Sequence, residues 1–153
     1  MNNIDLSNSY FIEHGRIIAQ CYKSFFGHDI CTLAHENIID DLWSAPFAVL
    51  THGTQTDPIF NFGNEAALNL FEMSFEELTR LPSKYSAEPM LQEERDHLLS
   101  RVTENGYIDD YCGIRIASSG TRFRLKNAIV FNLVDSNQNY YGQAAILKDW
   151  TFL

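Results

Sequence analysis

The sequence predicts an α+β fold, an antiparallel five-stranded sheet with helices on one face, preceded by an N-terminal helical extension. Three observations carry this reading. Between residues 10 and 25 apolar side chains recur near the helical period of about 3.6 residues. From residue 107 onward they alternate with a period of two, as in half-buried strands. Between these stretches lie a hairpin and a set of capped helices. The 153 residues amount to one domain with its extension.

Taken in order, Tyr10, Phe11, Ile17, Ile18, Cys21, Tyr22 and Phe25 form one helix face, which Ser7 or Ser9 can cap and Gly27 ends. A second short helix covers His35 to Trp43, with Ile38, Ile39 and Leu42 on one side. Residues 1–43 are thus the extension and 44–153 the sheet domain. Two brief apolar runs around the polar turn 53–57 predict a hairpin. Asn64 caps the next helix, and Ser74 with Glu77 forms a capping box for another. A polar helix from about Gln92 to Glu104 stops at Gly106. Three strands follow. The first carries Ile108, Cys112, Ile114 and Ile116 at even positions, and the second Phe123, Leu125, Ile129, Phe131 and Leu133 at odd ones. The third runs from Tyr140 to Trp150.

Composition excludes several classes. Hydrophobic residues make up 45 % and charged ones 20 %, the balance of a folded globular chain. The net charge of -9 argues against unspecific binding to nucleic acid or anionic membrane, which needs clustered Lys and Arg. Three cysteines, Cys21, Cys31 and Cys112, are too few for a disulfide framework, and the N-terminus shows no signal peptide, so a cytoplasmic protein is expected. The charge is uneven. Residues 1–110 hold eighteen acids and six bases, residues 111–153 two acids and five bases. Arg115, Arg122, Arg124 and Lys126 therefore mark either a solvated sheet edge or a surface for an anion or acidic protein partner.

The element order, two hairpin strands, short helices, a longer helix and three antiparallel strands, resembles the PAS fold. So do the local residues: Asn64-Glu65-Ala66-Ala67-Leu68 before Ser74-x-Glu76-Glu77-Leu78, and Asp149-Trp150-Thr151 at the last strand. More narrowly, residues 109–115, 119–124 and 142–145 resemble the MEKHLA domain, a PAS-related family of small bacterial and plant proteins that also ends the plant class III homeodomain–leucine zipper factors. The resemblance spans nearly the whole chain and implies a stand-alone, bacterial-type sensory module that signals in trans and has no catalytic role. A cavity between sheet and helices would then take a small molecule of undetermined identity, and the N-terminal helix is either a homodimer element or a cover for its own sheet.

The strand parity supplies candidate ligand contacts. Asn127 shares the parity of Phe123 and Leu125, and Gln143 that of Ala145 and Leu147. Buried amides need partners, found either in the protein and water or in a ligand. Phe60 from the hairpin, Cys112 and Leu147 complete the expected lining, while Ala144 and Ala145 leave room. His97, on the long helix, is the best-placed histidine for a haem, although its acidic neighbours suit solvent better. A photoactive flavin domain of this fold needs a reactive Cys that the stretch Ser83 to Gln92 lacks; a noncovalent flavin stays open. Cys21, His28, Cys31 and His35 lack zinc-module spacing. Two rivals remain: an isomerase or hydratase using Asp110 near Asn127, and a cavity-free interaction module.

Overall fold

Asn8, rather than either flanking serine, starts the first helix. Its side chain accepts a hydrogen bond from the Phe11 N–H at 2.9 Å. Helix α1 (Ser9–Phe26) ends at Gly27, whose φ of 79° lies in the left-handed region that glycine enters freely. In this computed structural model residues 4–87 and 92–153 are described. The remaining helices are α2 (Ile38–Trp43), α3 (Glu65–Phe71), α4 (Phe75–Leu78) and α5 (Gln92–Asn105), with one 3-10 turn at Ser83–Ser86. The predicted capping box is formed: Ser74 Oγ accepts from Glu77 N–H, and Glu77 Oε1 accepts from Ser74 N–H.

The strands are β1 (Ala48–His52), β2 (Phe60–Gly63), β3 (Tyr107–Ile116), β4 (Arg122–Val134), β5 (Tyr140–Leu147) and β6 (Asp149–Phe152). They form one antiparallel sheet in the order β2-β1-β5-β4-β3, with β6 beside the first half of β4. Ile129 opposes Ile146 and Lys126 opposes Asp149, so β6 continues β5 in the same register after a break at Lys148. The single predicted last strand is thus two segments, which makes six strands of the expected five.

At that break the sheet exchanges its faces. Asn127 takes φ 51°, a left-handed value that asparagine tolerates better than most residues. Pairing with β3 is irregular over the same level, between Ile108 and Gly113. A residue inserted into a ladder reverses the side-chain alternation beyond it. Phe123 and Leu125 consequently pack with Phe71 and Leu98 in one core, whereas Phe131 and Leu133 pack with Ile17, Ile18 and Tyr22 in the other. The parity expected for residues 108–133 therefore holds only piecewise.

The two cores lie on opposite sides of the sheet. Helices α3 and α5 cover the inner face, with Leu68, Phe71, Leu98 and Val102 buried. Helix α1 covers the outer face, its Ile17, Ile18, Cys21 and Tyr22 lying against Val49, Phe62, Phe131 and Ile146. The extension thus packs on its own sheet. Helices α1 and α2 approach so closely that a Cβ on Gly15 would stand 2.9 Å from the Ile39 backbone.

Asn64 joins the elements. Fully buried, it uses all of its amide: Oδ1 accepts from Val49 N–H and Ala67 N–H, and Nδ2 donates to the carbonyls of Leu42 and Phe47. One side chain thus caps α3, anchors β1 and fixes the end of α2, which is why the motif needs an amide there.

Candidate functional site

Between the inner sheet face and the α3–α5 layer lies a cavity of about 70 Å³. Its apolar walls include Leu50 from β1, Phe60 from β2, Phe71 from α3, Leu98 from α5, and Val130 and Leu147 from the last strands. Set into them are polar groups: His52, Ser83, Arg95, Tyr111, Arg115 and Gln143. Apolar walls with a few placed polar side chains are the usual make-up of a small-molecule site.

Three predicted residues, Gln143, Phe60 and Leu147, line this cavity. Gln143 is 3 % exposed; its Nε2 donates to Asn132 Oδ1 at 3.0 Å, while Oε1 has no hydrogen-bond partner among the described residues. Two predicted residues lie elsewhere. Asn127 is exposed because its left-handed backbone turns it out of the alternation. Cys112 is exposed too, since the irregular pairing before Tyr111 reverses the β3 parity. Tyr111 and Arg115 are inside in its place.

The basic group divides accordingly. Arg122, Arg124 and Lys126 are exposed together on β4, opposite Thr151 and Asp149 of β6, so they sit on a paired strand and not on a sheet edge. Arg115 leaves that surface for the cavity. It is 8 % exposed, donates from Nη1 to the Ile114 carbonyl at 3.2 Å, and its guanidinium lies 5.0 Å from the Tyr111 ring centre. The Tyr111 ring in turn folds over Gly113, where a Cβ would come within 2.2 Å of its hydroxyl.

Neither Asp109 nor Asp110 turns inward. Both are exposed, and Asp110 Oδ1 stands 3.6 Å from Arg101 Nη2. His97 is exposed on the solvent side of α5, away from the cavity. Among the described residues no cluster of three or more His, Cys, Asp or Glu could hold a metal, and His35 is engaged by Asp41 at 2.6 Å.

The residues that sequence reasoning missed are mostly polar ones inside. Arg95 is 5 % exposed and donates to Ser83 Oγ. Its signal was in the helix period: Arg95, Leu98 and Val102 share one face of α5 at spacings of three and four. Burial lowers the Arg95 pKa, and the neighbouring Arg115 charge adds to this. His52 donates from Nδ1 to the Gly53 carbonyl at 3.0 Å, and burial holds its pKa below the ordinary value. Burial likewise raises the Tyr111 phenol.

On the outer face His14 forms a second polar centre. Thr51 Oγ1 donates to Asn61 Oδ1, so it must accept from His14 Nε2–H at 2.9 Å, leaving Nδ1 to accept from Tyr141 O–H at 2.8 Å. Burial lowers the His14 pKa to about 4, which keeps this tautomer neutral. Nothing in the local pattern announced it.

Comparison with known proteins agrees with this architecture. Solved structures of similar fold include the PAS domain of a protein from Colwellia psychrerythraea, at TM-score 0.61 and 17 % identity, covering 72 % of this chain and 91 % of that one. The Cys71Ser mutant of Vivid superposes at TM-score 0.62 with 12 % identity, covering 87 % and 99 % respectively. The fold is therefore that of a PAS domain. Among curated proteins, the homeobox-leucine zipper protein ATHB-9 of Arabidopsis thaliana is 23 % identical over 150 residues, 97 % of this chain but 17 % of the plant protein. HOX9 of Oryza sativa is 23 % identical over 141 residues, again 17 % of its length. This chain thus spans about one sixth of the relatives it matches. The MEKHLA domain profile matches residues 12–152, and with it the sheet, both helical layers and the cavity fall inside one family: the chain belongs to the MEKHLA domain family.

Proposed function

We propose that the protein is a sensory module that holds a small molecule in the inner cavity and passes the binding event to a partner. One observation carries this: buried polar side chains of five different elements converge on a cavity with otherwise apolar walls. A core that served packing alone would bear the desolvation cost of these groups against only a few protein contacts each.

The residues present do not fit a flavin. About 70 Å³ is far below the roughly 300–1,000 Å³ of sites for drug-sized ligands. Ser83–Ala87 contain no cysteine, and residues 88–91 of the same stretch lie outside the described residues. Catalysis of the isomerase or hydratase type finds no support in the cavity either, because among the described residues no carboxylate lines it.

Amide nitrogen–proton spectra of the full chain, recorded against a library of small fragments, test the proposal. Saturable shifts confined to Leu50, His52, Tyr111 and Gln143 are expected. A library that moves none of them would leave only the interaction-module reading. Among the described residues no helix is long and apolar enough to cross a membrane. A cytoplasmic location and signalling through a separate protein belong to the same proposal, as does any self-association through the exposed side of α1.

A further inference from the structure

Arg95 and Arg115 are two of the most deeply buried cations in the chain, at 5 % and 8 % exposure, and they line the same cavity from opposite layers. A guanidinium does not shed its proton, so both charges persist inside. A buried charge is costly unless it is paired and hydrogen-bonded. Neither arginine is well paired among the described residues. Arg95 has Ser83 Oγ, and its Nη1 lies 3.7 Å from Asp96, a side chain that is 74 % exposed and so screened by water. Arg115 has a neutral backbone carbonyl and the face of Tyr111.

Both are nevertheless held in place. Ser83 N–H donates to the Pro58 carbonyl at 2.8 Å and Ser86 Oγ donates to the Ser83 carbonyl at 2.7 Å, which pins the acceptor of Arg95 within its 3-10 turn. Tyr111, seated over Gly113, supports Arg115 from below. Two like charges are positioned towards one space in which, among the described residues, no carboxylate stands to pair them.

We infer that the cavity takes a small organic carboxylate, its oxygens between Arg95 and Arg115 and its apolar body against Leu50, Phe60, Val130 and Leu147. Charge-assisted guanidinium–carboxylate pairs are the short, strong and often bidentate ones. The apolar walls select a hydrocarbon body over an inorganic oxyanion. The cavity volume sets the size: at roughly 10–15 Å³ for each water-sized group, there is room for about five to seven heavy atoms. This inference rests on the cavity being a ligand site, and it adds the charge and size of the occupant.

The test uses the full chain and straight-chain carboxylates from acetate to hexanoate, each beside its primary amide, followed by titration calorimetry and amide spectra. One or more of the carboxylates is expected to bind at least about tenfold more tightly than its amide, the change expected for one charge-assisted pair. Arg95→Gln and Arg115→Gln should each remove that preference. The comparison of acid with amide in the unmodified protein stands even if either variant fails to fold. Equal binding of acid and amide would overturn the anion assignment and keep the ligand site. Binding of inorganic phosphate as tight as the best carboxylate would overturn the apolar body. If neither acids nor amides bind and the fragment library is also silent, the ligand-site reading falls with it.

Discussion

His14 shows what burial does to one side chain. Its imidazole is enclosed by Tyr10, Phe62 and Tyr141 and bonded at both nitrogens, and it stays neutral down to a pH of about 4. In the unfolded chain a histidine protonates near pH 6.5. The folded pKa is depressed, so stability is fully present above about pH 6.5 and is lost progressively as pH falls towards 4, by about 3 kcal/mol in total. Urea unfolding between pH 7.5 and 4.5 should show this slope, and His14→Gln should flatten it. Gly113 is a second decisive residue. A Cβ there would meet the Tyr111 hydroxyl at 2.2 Å, so Gly113→Ala must displace the ring that supports Arg115. A loss of about 1–3 kcal/mol in stability is expected, with the Tyr111 ring resonances shifted. If those resonances stay put, the ring does not depend on the glycine.

At the scale of elements, Asn64 and Asn127 do opposite things with the same side chain. Asn64 is buried and spends four hydrogen bonds on β1, α2 and α3. Asn64→Ala should cost about 3 kcal/mol or more in urea unfolding, because it orphans buried backbone groups. Asn127 is exposed and matters through its backbone. Asn127→Gly should be neutral or stabilise by about 1 kcal/mol or less, whereas Asn127→Val should cost more than about 1 kcal/mol by forcing a branched residue left-handed. These two residues also mark where the sequence was legible. The cap at Asn64, the capping box at Ser74 and the stop at Gly27 are local devices, readable within four residues. The face exchange at Asn127 is not local. Alternation of Phe123, Leu125, Ile129, Phe131 and Leu133 looks the same whether one face is buried or two in succession, and a two-sided core hides the difference. Gln143 and Leu147 line the cavity from a strand whose pairing with β1 is regular over 143–147, and Phe60 lines it beside the β1–β2 irregularity. Asn127, Cys112 and Arg115 were misplaced across the irregularity. Arg95 was overlooked because its helix is acidic on its remaining faces.

For the whole molecule, the sheet is covered on both sides, and the extension is half of that covering. Removing residues 1–27 would strip Val49, Phe62, Phe131, Leu133 and Ile146 of their α1 partners. The truncated chain should bind a hydrophobic dye and aggregate, with an exposed patch beyond the few hundred Å² that monomers usually carry. A soluble, dye-negative product would mean that the extension is dispensable to the domain. The wall between the two cores is a single backbone thick. On β1, Leu50 and His52 line the cavity, and Thr51 between them accepts from His14 on the outer side. On β5, Gln143 and Leu147 face in and Ile146 faces out. Genetic changes on the two sides are therefore not independent. A substitution at His14 or Ile18 should alter the cost of one at Gln143, with a double-mutant discrepancy beyond the roughly 0.3–0.5 kcal/mol of unrelated sites. Selection acting on the ligand side will be constrained by residues that no ligand touches, and the domain will drift in sequence as linked pairs across its thinnest layer.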